Sequence, residues 1–286
     1  MKDKKWIYFL TALTILICLP ILSREIVKLD TFAGVRDMIN QSSLIKSIGK
    51  WSANFLFIGL VTSISFVMLK KLWHIAISIL VTIALAYLLM EQPLYMTLIG
   101  VFIPTLIHVY VFTGLFMLYG ALKSKSKLGY LSVLLLILVI VIIVNASVDP
   151  KDFILSEATK ANYGKSTFSF VNVSLAKFLS VAPANKPFSL LSEVGVKIQI
   201  FVAFAYTYHY LNWFSKTSII KWHKVNKKQF IIIAVLWTSS VGLYYYDYRL
   251  GFMALLFLSM LHVLYEFPLN YVSIRGIFQE LFMQKK

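Results

Sequence analysis

Long apolar runs broken by short polar links make up most of the chain. A hydrocarbon core of ~30 Å needs about 20 apolar residues in a helix. Eight runs answer to that length, at 6–23, 51–69, 72–90, 93–122, 129–147, 191–215, 229–246 and 250–272. The pattern predicts an all-α, polytopic integral membrane helix bundle of about eight transmembrane helices, forming a single domain over residues 1–286. Lys70-Lys71 separates the second and third runs, and Glu91-Gln92 separates the third and fourth. Pro93 suits a helix start, where its missing N–H would have no partner anyway. Pro104 inside the fourth run predicts a kink or tilt. The first run follows Lys2, Lys4 and Lys5 in the manner of a signal peptide. No small-x-small cleavage site comes after it, so it reads as an uncleaved first span.

Two longer segments, 24–50 and 148–190, interrupt the pattern. Ile26, Val27, Leu29 and Phe32 in one, and Phe168, Phe170, Val171 and Phe178 in the other, alternate with charges. Such mixtures predict short interfacial helices in outer, non-cytoplasmic connections. Around Phe168–Leu179 they suggest a cap on the bundle or a lid over a substrate entrance.

Composition narrows the class. Hydrophobic residues make up 59% and charged residues 14%, against roughly 25% charged in soluble domains. A cytosolic enzyme, a disordered chain and a disulfide-rich secreted module are excluded. The single cysteine, Cys18, makes neither an intrachain disulfide nor a thiolate metal site. The net charge is +16. With no basic arm or stripe, this argues against nucleic acid as a partner. The bases collect instead in alternate links, at Lys70-Lys71, Lys123–Lys127 and Lys216–Lys228, while Glu91-Gln92 has none and the link before 250 has only Arg249. Positive residues in short links mark the inner side. Both termini are therefore expected in the cytoplasm, with the chain in the cell membrane. Trp6, Trp73, Trp213 and Trp222 near inner span ends, and Trp51 and Tyr244–Tyr246 near outer ones, fit interfacial anchoring.

The soluble catalytic motifs GxGxxG, the Walker loop, CxxC, HExxH and GxSxG are all missing. The informative residues are histidines. His74 and His223 flank basic links and read as wetted interface residues. His108, His209 and His262 fall inside apolar runs, where lipid offers a polar group no partner. At ~1.5 Å per residue, His108 is roughly 22 Å, His209 roughly 21 Å and His262 roughly 18 Å from the outer side. All three lie on inward-running spans, so they reach nearly one level. Thr105 precedes His108 by three residues. Tyr206 and Asn212 flank His209 at the same spacing, and Glu266 follows His262 by four, with Asn270 one turn further. Residues so spaced share a helix face.

Three imidazoles and a carboxylate form a first-row metal set. The expected ligands are His108, His209 and His262. Glu266 serves as fourth ligand or catalytic partner, and Tyr206, Tyr208 or Tyr265 orients substrate or bound water. Iron or another first-row metal ranks ahead of haem. The arrangement is similar to the multi-histidine membrane oxygenases of the carotene-cleaving type. That resemblance rests on chain length and on histidines within spans, and it carries no residue roles. Three functions fit the sequence. The chain is a metal-dependent, oxidoreductase-type enzyme acting on a lipid-soluble small molecule, a transporter or channel using the His/Glu cluster as a protonatable gate, or a non-catalytic membrane subunit. Membrane lipids are the expected surroundings in each case. The sequence names no protein partner.

Overall fold

Each apolar run is helical in the structure, a computed structural model that describes residues 4–27, 34, 36–164, 166–183, 187–215 and 224–283. In chain order the helices are α1 (Lys5–Ile26), α2 (Arg36–Gln41), α3 (Ser43–Lys50), α4 (Ser52–Met68), α5 (Leu72–Leu89), α6 (Pro93–Ser124), α7 (Lys127–Asn145), α8 (Glu157–Gly164), α9 (Thr167–Phe178), α10 (Glu193–Ser215), α11 (Lys227–Tyr246) and α12 (Tyr248–Phe282). A 3-10 turn covers Pro150–Asp152. No strand occurs among the described residues.

Among the described residues six helices, α1, α5, α6, α7, α11 and α12, are long and apolar enough to cross a membrane. The bent pair α3–α4, with a 50° change of direction at Trp51, brings the number to seven. The remaining expected span became α10. Its 23 residues are sufficient in length. Gln199, Tyr206, Thr207, Tyr208, His209, Tyr210 and Asn212 make it less apolar than the others. The last helix continues to Phe282 instead of ending near Val272.

The chain divides into two compact units. The first comprises Met1–Gly100 and Lys216–Val272, the second Val101–Ser215 and Ser273–Lys286.

In the first unit, α4 packs on α1 and α5. Leu10, Leu13 and Ile17 of α1, Leu56 of α4, and Leu264 and Phe267 of α12 are buried. Small residues let these helices approach closely. The backbone at Gly59 lies against Leu13 and Leu264, with a hypothetical Cβ 3.5 and 3.6 Å from their methyl carbons. Buried hydroxyls mostly satisfy themselves through the preceding turn, Thr14 on Leu10 O at 2.8 Å and Ser63 on Gly59 O at 2.6 Å. Ser65 and Ser78 join α4 to α5 through their hydroxyls at 2.7 Å, and Tyr95 donates to Asn54 Oδ1 at 2.8 Å. α11 and α12 join at Asp247, whose carboxylate accepts from Leu250 N at 2.9 Å. Gly251 is required there, since a Cβ would come within 2.9 Å of the Tyr244 backbone.

In the second unit, α6 and α7 form a hairpin. Lys125 takes the left-handed conformation at φ 51° and ends α6, with Ser126 N bonding back to Ala121 O. The Ser126 side chain then caps α7 by accepting from Gly129 N at 3.1 Å. α10 packs on α7 and α9. Lys197, expected within the sixth run, lies in the second turn of α10. It pairs with Glu193 at 2.8 Å and donates to Val144 O, at the end of α7, at 3.1 Å.

Segments 24–50 and 148–190 contain short helices, α2 and α3 in the first and α8 and α9 in the second. Residues 28–33, 35, 165 and 184–186 of these segments lie outside the described residues.

Candidate metal centre

His108 is held by an unusual piece of backbone. Within α6, residues Met96–Phe112 are wound as a π-helix with Pro104 inside. Proline has no N–H to bond the carbonyl four residues back, and its ring crowds that carbonyl. A turn opened to i→i+5 relieves both. The expected kink is thus a widening of the helix. A wider winding advances less per residue, so His108 sits closer to the Pro93 end of α6 than α-helical spacing gives.

The same winding changes its neighbours. Thr105, expected as polar company for His108, instead bonds its own backbone at Val101 O, 2.5 Å away. Thr113 is the hydroxyl that matters. It lies five residues past His108, on the far side in an α-helix, but residues five apart come round to one face when i→i+5 bonds set the turn. Nothing in the sequence marked it, because the α-helical period was applied throughout.

His209 approaches from α10. His108 is 3% and His209 6% exposed, so both imidazoles are enclosed. Their ring centroids are 5.0 Å apart, tilted by 56°. Each offers a ring nitrogen within 4.8 Å of the other's. His209 Nδ1 lies 2.8 Å from Thr113 Oγ1. The tautomer that donates Nδ1–H to this hydroxyl leaves Nε2 with its lone pair directed elsewhere, as in a metal-ligating histidine with a fixed ring. Tyr110 steadies the frame. Its hydroxyl donates to Leu136 O of α7 at 2.6 Å, and its ring meets Phe201 of α10 edge-on at 5.2 Å. Gly114 permits this approach of α6 to α7, since a Cβ there would stand 3.2 Å from Leu136 Cδ2.

Tyr206 is half-buried one turn before His209, its ring edge-on to Phe168 of α9 at 5.2 Å. At the other end of α9, Phe178 meets Phe102 of the π-wound segment at 5.3 Å. One short helix therefore touches both histidine-bearing helices. α9 buries Val171, Asn172 and Ala176. Asn172 Nδ2 donates to the Tyr163 hydroxyl of α8. Burial pushes the Tyr163 phenol up, and the bond from Asn172 opposes the shift.

His262 and Glu266 belong to the first unit. His262 Nε2 is 3.6 Å from Glu266 Oε1, and both side chains are half-buried. This matches the i,i+4 face expected of α12. Between them, Tyr265 shares a 2.7 Å hydrogen bond with Thr11 of α1 and packs edge-on to Trp6 at 5.6 Å. One turn on, Asn270 is 3% exposed, and neither amide atom has a hydrogen-bond partner among the described residues. His74 lies against Trp73 at the start of α5, with ring centroids 3.8 Å apart. His223 lies outside the described residues.

No family model, no curated protein and no solved structure matches this chain. Its chemistry is therefore read from these side chains alone.

Proposed function

We propose that the chain is an eight-span integral membrane protein of the cell membrane, with both termini cytoplasmic. On this proposal it holds a first-row metal ion, iron foremost, at His108 and His209 and acts on a lipid-soluble small molecule. The observation that carries this is the enclosed His108–His209 pair with Thr113 on one imidazole. Two such groups inside an apolar bundle are costly unless they serve each other or a shared ion. Ligands to one first-row ion stand about 2.0–2.1 Å from it. Ring centroids 5.0 Å apart, with inclined planes, suit two ligands on one side of a bare ion. They leave no room for a haem macrocycle between axial imidazoles. α10 joins the spans on this proposal, because its polar side chains serve the site and not the lipid.

His262 is proposed as the third ligand on the sequence argument of matched depth. Glu266, its neighbour on α12, completes the set or holds the imidazole in place. An ion with open positions supplies Lewis-acid or dioxygen chemistry. Tyr206, one turn from His209, orients the substrate, and α9 shields the entrance.

Metal analysis of the purified full chain tests the proposal. One ion per chain is expected, lost in His108→Ala with the helical content unchanged. His262→Ala tests the third ligand separately. A metal-free, folded and active protein would overturn the enzyme reading. The His262–Glu266 pair specifically favours a second function, a protonatable gate in a transporter or channel. Substrate or proton flux in proteoliposomes, abolished by Glu266→Gln, would establish it.

A further inference from the structure

Far along α1 from Trp6, the chain forms a cleft that owes nothing to the histidines. It is half-open, about 480 Å³ in volume, and lies within the first unit, where α2 and α3 pack on the last turns of α1. Three of its lining residues are cations, Arg24 of α1 and Lys46 and Lys50 of α3, and Asn40 adds an amide. No acidic side chain lines it among the described residues. Lys46 and Lys50 are four apart and share a face of α3, an arrangement in which like charges repel. Arg24 joins them. Its Nε donates to Pro20 O at 3.2 Å, and its Nη2 lies 3.6 Å from where a Cβ of Gly49 would be, beneath the lysines. The apolar wall of the cleft is made by Pro20, Ile39 and Ile45.

We propose that this cleft binds an anionic phospholipid, its phosphate among Arg24, Lys46 and Lys50 and its glycerol and upper acyl carbons against Pro20, Ile39 and Ile45. A guanidinium presents paired N–H donors to phosphate oxygens, and ammonium groups add point charges. An anion in their midst relieves the repulsion that the cations impose on one another. The apolar wall selects a lipid over free phosphate, which would leave that wall in water. The position agrees. α1 is a 22-residue apolar helix, and the cleft sits at its end, where a span leaves the hydrocarbon and meets headgroups.

Equilibrium binding to the delipidated full chain in neutral detergent tests the proposal, with dioctanoyl phosphatidylglycerol, dioctanoyl phosphatidylcholine and inorganic phosphate as probes. Phosphatidylglycerol should bind saturably and most tightly. Each base replaced by Gln, in Arg24→Gln, Lys46→Gln and Lys50→Gln, should weaken it roughly fivefold. The charge-preserving pair Lys46→Arg with Lys50→Arg should retain binding, which separates loss of charge from loss of fold. Lys70→Gln with Lys71→Gln, at a different basic link, should leave it unchanged. Equal affinity for phosphatidylcholine would overturn the proposal, as would equal affinity for inorganic phosphate. An equal loss in the Lys70/Lys71 variant would reduce the effect to general surface charge and overturn it too.

Discussion

α7 and α10 pack side by side in one unit and are composed in opposite ways. α7 is nearly pure Leu, Ile and Val. Its one buried residue is Leu136, while Leu134, Leu135, Ile137 and Ile142 face outward. α10 carries seven polar or hydroxylated residues between Gln199 and Asn212 and buries His209 along with Val196, Ile198, Val202 and Ala205. A helix whose surroundings are hydrocarbon needs only to be apolar. A helix that turns a polar group inward is stable only where a partner waits for it, as Thr113 does for His209. Polar density within an otherwise apolar bundle thus marks the face where the molecule does more than insert.

The contrast can be broken most severely at His209. In His209→Ala, metal should be lost by more than the roughly 10–100-fold attached to an outer supporting partner, with insertion and helical content intact. Retained metal would move the centre elsewhere. Next comes Thr113→Val, which keeps the shape and removes the hydroxyl. Metal affinity should fall roughly 10–100-fold, and Thr113→Ser should restore it. The third test separates site from scaffold. Tyr110→Phe deletes the bond to Leu136 O and should lower unfolding stability in detergent by about 0.5–1.5 kcal/mol, with metal stoichiometry preserved. Least of all, Leu135→Ala on the outward face of α7 should change stability by no more than about 0.5 kcal/mol. A large loss there would show that α7 is covered by another protein surface and does not face lipid.

Much of this was legible in the chain. Apolar length alone located the helices, since a 20-residue run with few charges has few other structures open to it. The pairing of His108 with His209 was legible as two imidazoles at one depth, and the His262–Glu266 contact followed from a spacing of four. Thr113 was not legible. Its place beside His209 depends on a π winding that Pro104 provokes, and a proline in a long run signals a disturbance without saying whether the helix bends or widens. The polar character of α10 carried two messages at once. It pointed to the buried His209, and by the same residues it reduced the apolarity by which spans are recognised. The division of the chain into two compact units had no counterpart in the sequence pattern, since two of its three break points, after Gly100 and after Val272, fall within continuous helices.

The enclosure of Asn172 bears on how the orientation of this chain can be read in cells. Asn172-Val-Ser174 and Asn40-Gln-Ser42 both fit the acceptor triplet for N-linked sugars. Asn172 is fully enclosed, and the nitrogen that would carry the sugar already donates to Tyr163. Asn40 is exposed. In a host with the glycosylating machinery, a glycan on Asn40 reports the side of the membrane on which its segment emerges. A bare Asn172 on the glycosylating side reports that α8 and α9 have closed on each other. A sugar on Asn172 would therefore tag chains that met the transferase before that closure, a built-in clock for the assembly of this segment.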